Sequence, residues 1–168
     1  MKKIAIISDT HNCIDSKITS IISNCDEIWH AGDFGYSNDI KKFIENHKVM
    51  GVYGNIDGSY IRSQYPKYEV FICEDFKILI THIGGRPNQY NKETREKIKL
   101  LKPDIFISGH SHILKITHDK IHNLIYINPG AAGKEGFHQI RTVVLMTLDK
   151  KKIISMKVVE LGKRSQLP

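Results

Sequence analysis

The first apolar run, Ile4-Ala5-Ile6-Ile7, most constrains the fold because Ser8-Asp9-Thr10-His11 follows it at once. Four consecutive apolar residues of this kind predict a strand that is buried on both faces. A carboxylate is costly inside a core, so a strand that runs directly into Asp9 is expected to emerge at a polar crevice. In open α/β sheets such crevices lie beyond the carboxyl ends of parallel strands. Asp9 and His11 are also suitable ligands for a divalent metal ion.

The next segments alternate between helical and strand patterns. Isoleucines at near-helical spacing predict a helix over 14–24 with Asp15 as its N-cap, and Ser37 is a suitable N-cap for a second helix. Short apolar runs predict strands over 27–31 and 48–53. This strand-helix-strand-helix-strand order implies right-handed crossovers and a parallel sheet.

The second half of the chain is richer in strand patterns. Two β runs joined by Glu74-Asp75 predict an antiparallel hairpin, and 91–101 is predicted to be a helix. A buried strand over 104–108 follows, and later β runs are predicted at 113–117, 124–127, 142–148 and 153–161. No linker or repeat interrupts the pattern, so we predict one domain over 1–168 with two sheets, and a frayed tail at 162–168.

Composition narrows the classes of protein to which the chain can belong. No apolar run approaches the roughly 20 residues that span a bilayer, so no membrane association is predicted and the cytoplasm is the expected location. The net charge of +7 raises the question of nucleic acid, but the basic residues are scattered and form no stripe with interleaved aromatic residues. A nucleic-acid surface is therefore not favoured. Three widely spaced cysteines indicate neither a disulfide scaffold nor a cysteine zinc site.

Residues suited to metal binding follow five of the predicted buried strands. They are Asp9 and His11, Asp33, Asn55, His82, and His110 with His112. Glycine precedes the ligand type in three cases (Gly32, Gly54 and Gly109), which lets the backbone turn sharply and approach a bound group closely. The set is too large for one ion and suits two ions that share a bridging carboxylate.

Five motifs taken in order resemble the calcineurin-like metallophosphoesterase family. They are Asp9-Thr10-His11, Gly32-Asp33, Gly54-Asn55-Ile56-Asp57, Thr81-His82 and Gly109-His110-Ser111-His112. The resemblance covers residues 4 to about 130 and is greatest to small single-domain bacterial and archaeal phosphodiesterases. It implies an α/β fold, a four-layer α-β-β-α sandwich of two mixed sheets, with metal ions at the carboxyl ends of the strands.

The resemblance also implies a division of the ligands. The first metal would take Asp9, His11 and His112. The second would take Asn55, His82 and His110, with Asp33 bridging the two.

The resemblance further implies a metal-dependent phosphodiesterase that acts on a small phosphodiester. A hydroxide held by both metals would attack phosphorus in line, and the catalytic residues are expected to be Asp33, Asn55 and His82. Ligands without thiolates suit manganese, which is the metal we expect, with iron, zinc and nickel as alternatives. Exposed edge strands offer a route to a homo-oligomer.

Several neighbouring residues bear on this prediction. Many relatives carry a histidine credited with protonating the leaving group where this chain has Ile56, so activity is expected on diesters with good leaving groups. Asp57 is expected to hydrogen-bond near Asn55 or the histidines. His30 is expected either to support the ligands from behind or to pack in the core, and not to bind a metal directly. Arg86 is either a phosphate-facing cation or a surface residue.

Two other functions remain open on the sequence alone. The first is a non-catalytic metal-binding scaffold, because a protein of the eukaryotic retromer coat resembles the same family and acts as a scaffold. The second is a nuclease acting on a polynucleotide, which would need the basic residues to converge on the metal cleft. The complete ligand set favours the enzyme over the scaffold.

Overall fold

Two five-stranded sheets form the centre of the structure, a computed structural model that describes residues 1–164. The strands are β1 (Lys2–Ile7), β2 (Glu27–His30), β3 (Val49–Gly51), β4 (Tyr68–Cys73), β5 (Phe76–Thr81), β6 (Ile105–Ser108), β7 (Lys115–Asp119), β8 (Leu124–Asn128), β9 (Ile140–Asp149) and β10 (Lys152–Lys163). The helices are α1 (Ser16–Ile22), α2 (Asn38–Asn46), α3 (Ser59–Gln64) and α4 (Lys92–Leu101).

The first sheet has the strand order β10-β9-β1-β2-β3. The three strands β1, β2 and β3 are parallel, which confirms the predicted crossovers, and β9 adds to β1 in the antiparallel direction. The crossover helices begin at the predicted caps, since the side chain of Asp15 accepts from the backbone N–H of Ile18 and that of Ser37 from Ile40.

The second sheet has the order β4-β5-β6-β8-β7 and is also mixed. The predicted hairpin joins β4 and β5, with Cys73 opposite Phe76. Both turn residues, Glu74 and Asp75, have positive φ (47° and 67°), as a two-residue turn of this hand requires. Strands β5, β6 and β8 are parallel, so their carboxyl ends meet at one edge.

Side chains alternate along β1 between two separate cores. Ile4 and Ile6 point between the sheets, where the core includes Trp29. Ala5 and Ile7 point the other way, into a core that residues of α1 and α2 share. A third core lies between α4 and the outer face of the second sheet. The order of layers is therefore helix, sheet, sheet, helix, which confirms the predicted four-layer sandwich.

Two predictions differ from the structure. The predicted tail at 162–168 is wrong at its start, because β10 continues through Gly162 and Lys163, paired with Arg141 and Ile140 of β9. A bulge after Glu160, with Gly162 at φ +103°, lets the strand stay in register beyond the apparent end of its apolar pattern. The remainder of that tail, 165–168, lies outside the described residues.

The second difference is α3 (Ser59–Gln64), a short helix that the sequence analysis did not predict.

No helix among residues 1–164 is long and apolar enough to cross a membrane.

Candidate metal centre

The loops that follow five parallel strands meet at one edge of the sandwich. They are the loops after β1, β2 and β3 of the first sheet and after β5 and β6 of the second. These loops carry all seven residues predicted as ligands: Asp9, His11, Asp33, Asn55, His82, His110 and His112. The convergence that the sequence analysis required is present.

Six of the seven residues form two groups of potential ligands. One group is Asp9, His11 and His112, and the other is Asp33, His82 and His110; within each group the donor atoms lie within 4.8 Å of one another. The remaining residue, Asn55, places Oδ1 3.0 Å from Nε2 of His82. The groups keep Asp9, His11 and His112 apart from His82 and His110, and they place Asp33 with the latter pair. The ligand set of each metal stays a prediction.

Asp33 belongs to the second group and also faces the first. Its Oδ2 is 3.2 Å from Nε2 of His82 and 3.6 Å from Nε2 of His11. Its Oδ1 accepts a hydrogen bond of 3.0 Å from the backbone N–H of Ile56. Burial opposes ionisation, but the hydrogen bond and charge of His82 hold the pKa of Asp33 below its usual value. Asp33 is thus an ionised carboxylate facing both groups.

The backbone is strained where these side chains are presented. Five of the seven residues have positive φ: Asp9 (53°), His11 (43°), Asp33 (57°), His110 (67°) and His112 (56°). Non-glycine residues rarely adopt this region, and each costs of order 1–2 kcal/mol. Hydrogen bonds between the loops hold the conformation, including Asp9 N–H to the carbonyl of Gly32 (2.9 Å) and His11 N–H to that of Asp33 (3.1 Å).

All three glycines predicted to flank the ligands allow a close approach of loops. A Cβ on Gly54 would overlap Oδ1 of Asp33, and a Cβ on Gly109 would overlap Oγ of Ser8. A Cβ on Gly32 would lie 2.7 Å from Nδ1 of His82. Gly32 also has φ of +94°, a turn conformation that favours glycine, so this position needs glycine for two reasons.

His82 has one ring nitrogen committed to the backbone. Its Nδ1 lies 2.7 Å from the carbonyl oxygen of Ala31, which can only accept, so Nδ1 carries a proton and Nε2 faces the site. Burial disfavours the imidazolium, but the hydrogen bond to Asp33 and the charge of Asp9 outweigh it and raise the pKa of His82. A cation at this position therefore competes with a proton on Nε2.

Three buried side-chain polar atoms within residues 1–164 have no hydrogen-bond partner. They are Oγ of Ser8, Oδ1 of Asp9 and Nε2 of His11. Buried polar atoms in native proteins are normally paired, and two of these belong to the first ligand group. A divalent cation coordinated by Asp9 and His11 would satisfy both. The imidazole, carboxylate and amide donors of the site have the chemistry that such a cation requires.

Asp57 shapes the loop that carries Asn55. Its carboxylate accepts hydrogen bonds from the backbone N–H groups of Gly54 (2.7 Å) and Gly35 (2.9 Å). The partners are thus backbone groups, one beside Asn55 and one in the loop after β2, and not the histidines that the sequence analysis also considered. Arg62 on α3, which sequence reasoning missed, donates to the carbonyl oxygens of Asp57 (2.6 Å) and Gly54 (3.2 Å). No local motif marks this arginine.

His30 supports the neighbouring loop and does not belong to either ligand group. Its ring stacks on Phe34 with centroids 3.6 Å apart, its Nδ1 accepts from the backbone N–H of Gly32, and its Nε2 lies 3.0 Å from Oγ1 of Thr10. Complete burial is the main cause that lowers its pKa to about 3. This confirms the predicted packing role.

Ile56 and Arg86 lie at the rim of the site. The side chain of Ile56 is 45% exposed and offers no proton, although its backbone N–H binds Asp33. Arg86 lines a cavity beside His110.

Comparison with known proteins places these features in a family. A model of the calcineurin-like phosphoesterase superfamily domain matches residues 1–151. A probable metallophosphoesterase of Methanothermobacter thermautotrophicus is 27% identical over 133 residues, which are 76% of each chain.

Solved structures share the fold over nearly the whole chain. An archaeal phosphodiesterase is 26% identical, with a TM-score of 0.71 over 95% of this chain and 99% of that one. Vps29 of Entamoeba histolytica in complex with zinc is 17% identical, with a TM-score of 0.71 over 97% and 99%. Its likeness concerns the fold alone. The family match and the shared fold lead to the same conclusion: the chain belongs to the calcineurin-like phosphoesterase superfamily.

Proposed function

We propose that the chain is a metal-dependent phosphodiesterase that uses two divalent cations to hydrolyse small phosphodiesters. The observation that carries the proposal is the pair of three-residue ligand groups at the strand ends, in which Asp33 of the second group also faces His11 of the first. Membership of a phosphoesterase family and the likeness to an archaeal phosphodiesterase support it.

The two groups suggest how the ligands would divide. Asp9, His11 and His112 would hold one cation, and His82 and His110, with Asn55 beside them, would hold the other, while Asp33 faces both. Two doubly charged cations less the two carboxylates leave a net charge of about +2 in the site, which attracts an anionic phosphodiester. When bound, the cations supply the Lewis acidity that activates water and neutralises the phosphate charge.

Backbone hydrogen bonds fix the orientation of two of the proposed ligands, Asp33 and His82. The Ile56 N–H fixes Oδ1 of Asp33, so its Oδ2 faces both ligand groups. The carbonyl of Ala31 fixes the tautomer of His82, so Nε2 faces the site. Preorganised groups of this kind need little rearrangement when substrate arrives.

Ile56 limits the range of leaving groups. Protonation of a leaving group by a positioned side chain typically contributes about 10²- to 10⁴-fold to a rate. The side chain at position 56 cannot make this contribution, so diesters with leaving groups of low pKa, such as nitrophenolates, are the preferred substrates. Manganese is the proposed metal, with iron, zinc or nickel as alternatives, since the ligands contain no thiolate.

Hydrolysis of bis(p-nitrophenyl) phosphate tests the proposal. We expect turnover with added Mn²⁺ and none with a chelator. Asp33→Asn should lower turnover by more than roughly 100-fold, together with metal content, because it removes the charge shared by both groups. Asp39→Asn is the matched control, since Asp39 is an exposed residue of α2.

The outcomes separate the two functions considered. Metal binding without turnover would favour a non-catalytic metal-binding module on this fold. Undiminished hydrolysis by the Asp33→Asn variant would contradict the two-cation site.

A further inference from the structure

A cavity of about 300 Å³ opens directly beside the candidate metal centre. Residues from two loops and two strands line it, among them Ile83, Arg86, His110, Ile113, Lys115 and Tyr126. His110 also belongs to the second ligand group, so the cavity and the metal centre share a wall. Its volume is at the lower end of the range of small-molecule sites.

The walls of this cavity are apolar and partly open to solvent. Ile83 and Ile113 are 48% and 64% exposed, although isoleucine is usually buried. Tyr126 is buried, and its hydroxyl donates to the carbonyl of Gly85 (3.0 Å), so its polar tip is already satisfied. The cavity therefore offers an apolar surface next to a charged reaction centre.

The cavity is also positively charged. Arg86 and Lys115 line it, no carboxylate does, and within residues 1–164 neither cation forms an ion pair. The side-chain hydrogen bond of Arg86 runs from Nε to Gln89 (2.8 Å), which leaves both terminal nitrogens available. These groups can bind an anion through charge-assisted hydrogen bonds.

A second cavity, of about 260 Å³ on the other side of Ile83, differs from the first in that its cations have partners. Its cations are already engaged, because Lys67 pairs with Glu93 (2.6 Å) and Arg62 donates to backbone carbonyl oxygens. The uncommitted positive charge beside the metal centre is thus a property of the first cavity.

We propose that the first cavity binds one ester arm of the substrate, and that this arm combines an apolar ring with a second negative charge. A nucleotide-like arm has this chemistry, with the ring between Ile83 and Ile113 and the anion at Arg86 and Lys115. The inference rests on the proposed phosphodiesterase function, because the arm is placed by a phosphoryl group at the metal centre.

Three p-nitrophenyl diesters with one common leaving group test the inference. They are methyl p-nitrophenyl phosphate, thymidine 5′-(p-nitrophenyl phosphate), and the latter with an added 3′-phosphate. We expect kcat/KM to rise along this series, with a gain of about 10-fold for the 3′-phosphate, which is the ratio expected for one charge-assisted contact.

Lys115→Gln and Arg86→Gln should each reduce the ratio of kcat/KM between the ester with the 3′-phosphate and the ester without it, and Lys120→Gln should leave that ratio unchanged. Lys120→Gln is the control for net charge, since Lys120 follows the opposite end of β7. Hydrolysis of all three esters at similar rates would overturn the inference and leave the proposed function standing. Hydrolysis of none would contradict the proposed function.

A binding experiment tests the cavity without catalysis. Titration of chelator-treated protein with thymidine 3′,5′-bisphosphate, followed by calorimetry, should show binding that Lys115→Gln weakens about 10-fold and Lys120→Gln does not. Equal binding by both variants, or none by the unmodified protein, would overturn the assignment of the cavity.

Discussion

The imidazole rings of His112 and His138 meet through their Nδ1 atoms, which lie 3.1 Å apart. Nε2 of His138 is 3.1 Å from the carbonyl oxygen of Gly133, which can only accept, so we assign the proton of neutral His138 to Nε2. His112 then donates from Nδ1 to His138 and presents the lone pair of Nε2 to the site, 3.2 Å from Oδ1 of Asp9. His138 is therefore a positioning residue for His112.

Replacement of His138 should weaken metal binding. We expect His138→Ala to raise the dissociation constant for Mn²⁺ by about 10- to 100-fold, because His112 loses the partner that fixes its tautomer and orientation. His138→Asn should retain more affinity, since its amide oxygen can accept from Nδ1 of His112. Titration calorimetry measures both, and ¹⁵N shifts of the His112 ring report the tautomer in the metal-free protein. An unchanged tautomer and affinity in His138→Ala would show that the contact has no such role.

A methyl group at position 54 should displace Asp33 and so disrupt the candidate metal centre. Its Cβ would overlap Oδ1 of Asp33, so Gly54→Ala must displace the carboxylate or the loop. We expect a loss of about 1–3 kcal/mol in the free energy of unfolding and lower metal content. Gly58→Ala is a matched control, because a Cβ there meets nothing within 4 Å. Urea unfolding of both variants checks the prediction, and equal stability of the two would contradict it.

Sequence patterns predicted most of the fold because local physics dominates those segments. The isoleucine run of β1 is buried on both faces, and Asp15 and Ser37 cap their helices as expected. By contrast, α3 has only six residues, and its N-cap, Gly58, makes no side-chain hydrogen bond, so it lacks a local signal.

The residues of the candidate site likewise fall into those that the sequence predicted and those that it did not. The seven proposed ligands were predicted because each follows a buried strand and the motifs resemble a known family. The contact of His138 with His112 and that of Arg62 with the loop after β3 join residues 26 and 8 positions apart. Such contacts depend on how loops pack in three dimensions, and neither a periodicity nor a motif encodes them.

Loss of the Asp57 carboxylate should loosen the loop that carries Asn55. Asp57 is buried and accepts from two backbone N–H groups, and an amide in its place turns an NH₂ group toward one of them. We expect Asp57→Asn to cost about 1–3 kcal/mol of stability, since a buried donor loses its partner. Hydrogen exchange should become faster at the amide of Gly35 or Gly54. Unaltered exchange at both amides would contradict this role.

His30 should make the stability of the protein depend on pH below neutrality. Its folded pKa is about 3, below the ordinary 6.5, because burial disfavours the imidazolium. Below pH 6.5 the unfolded chain binds a proton that the folded protein does not, so the stability from neutral His30 is present above 6.5 and falls as the pH drops toward 3. The loss between pH 7 and pH 5 amounts to about 2 kcal/mol.

A comparison with His30→Asn isolates this contribution. Asn can accept from the N–H of Gly32 but does not titrate, so the stability advantage of the unmodified protein over the variant should shrink by about 2 kcal/mol from pH 7 to pH 5. His82, whose raised pKa acts in the opposite direction, is present in both proteins and cancels from the difference. Urea unfolding in the presence of a chelator removes the further coupling of protons to metal binding. A difference that stays constant over this range would mean that buried His30 accepts a proton without unfolding.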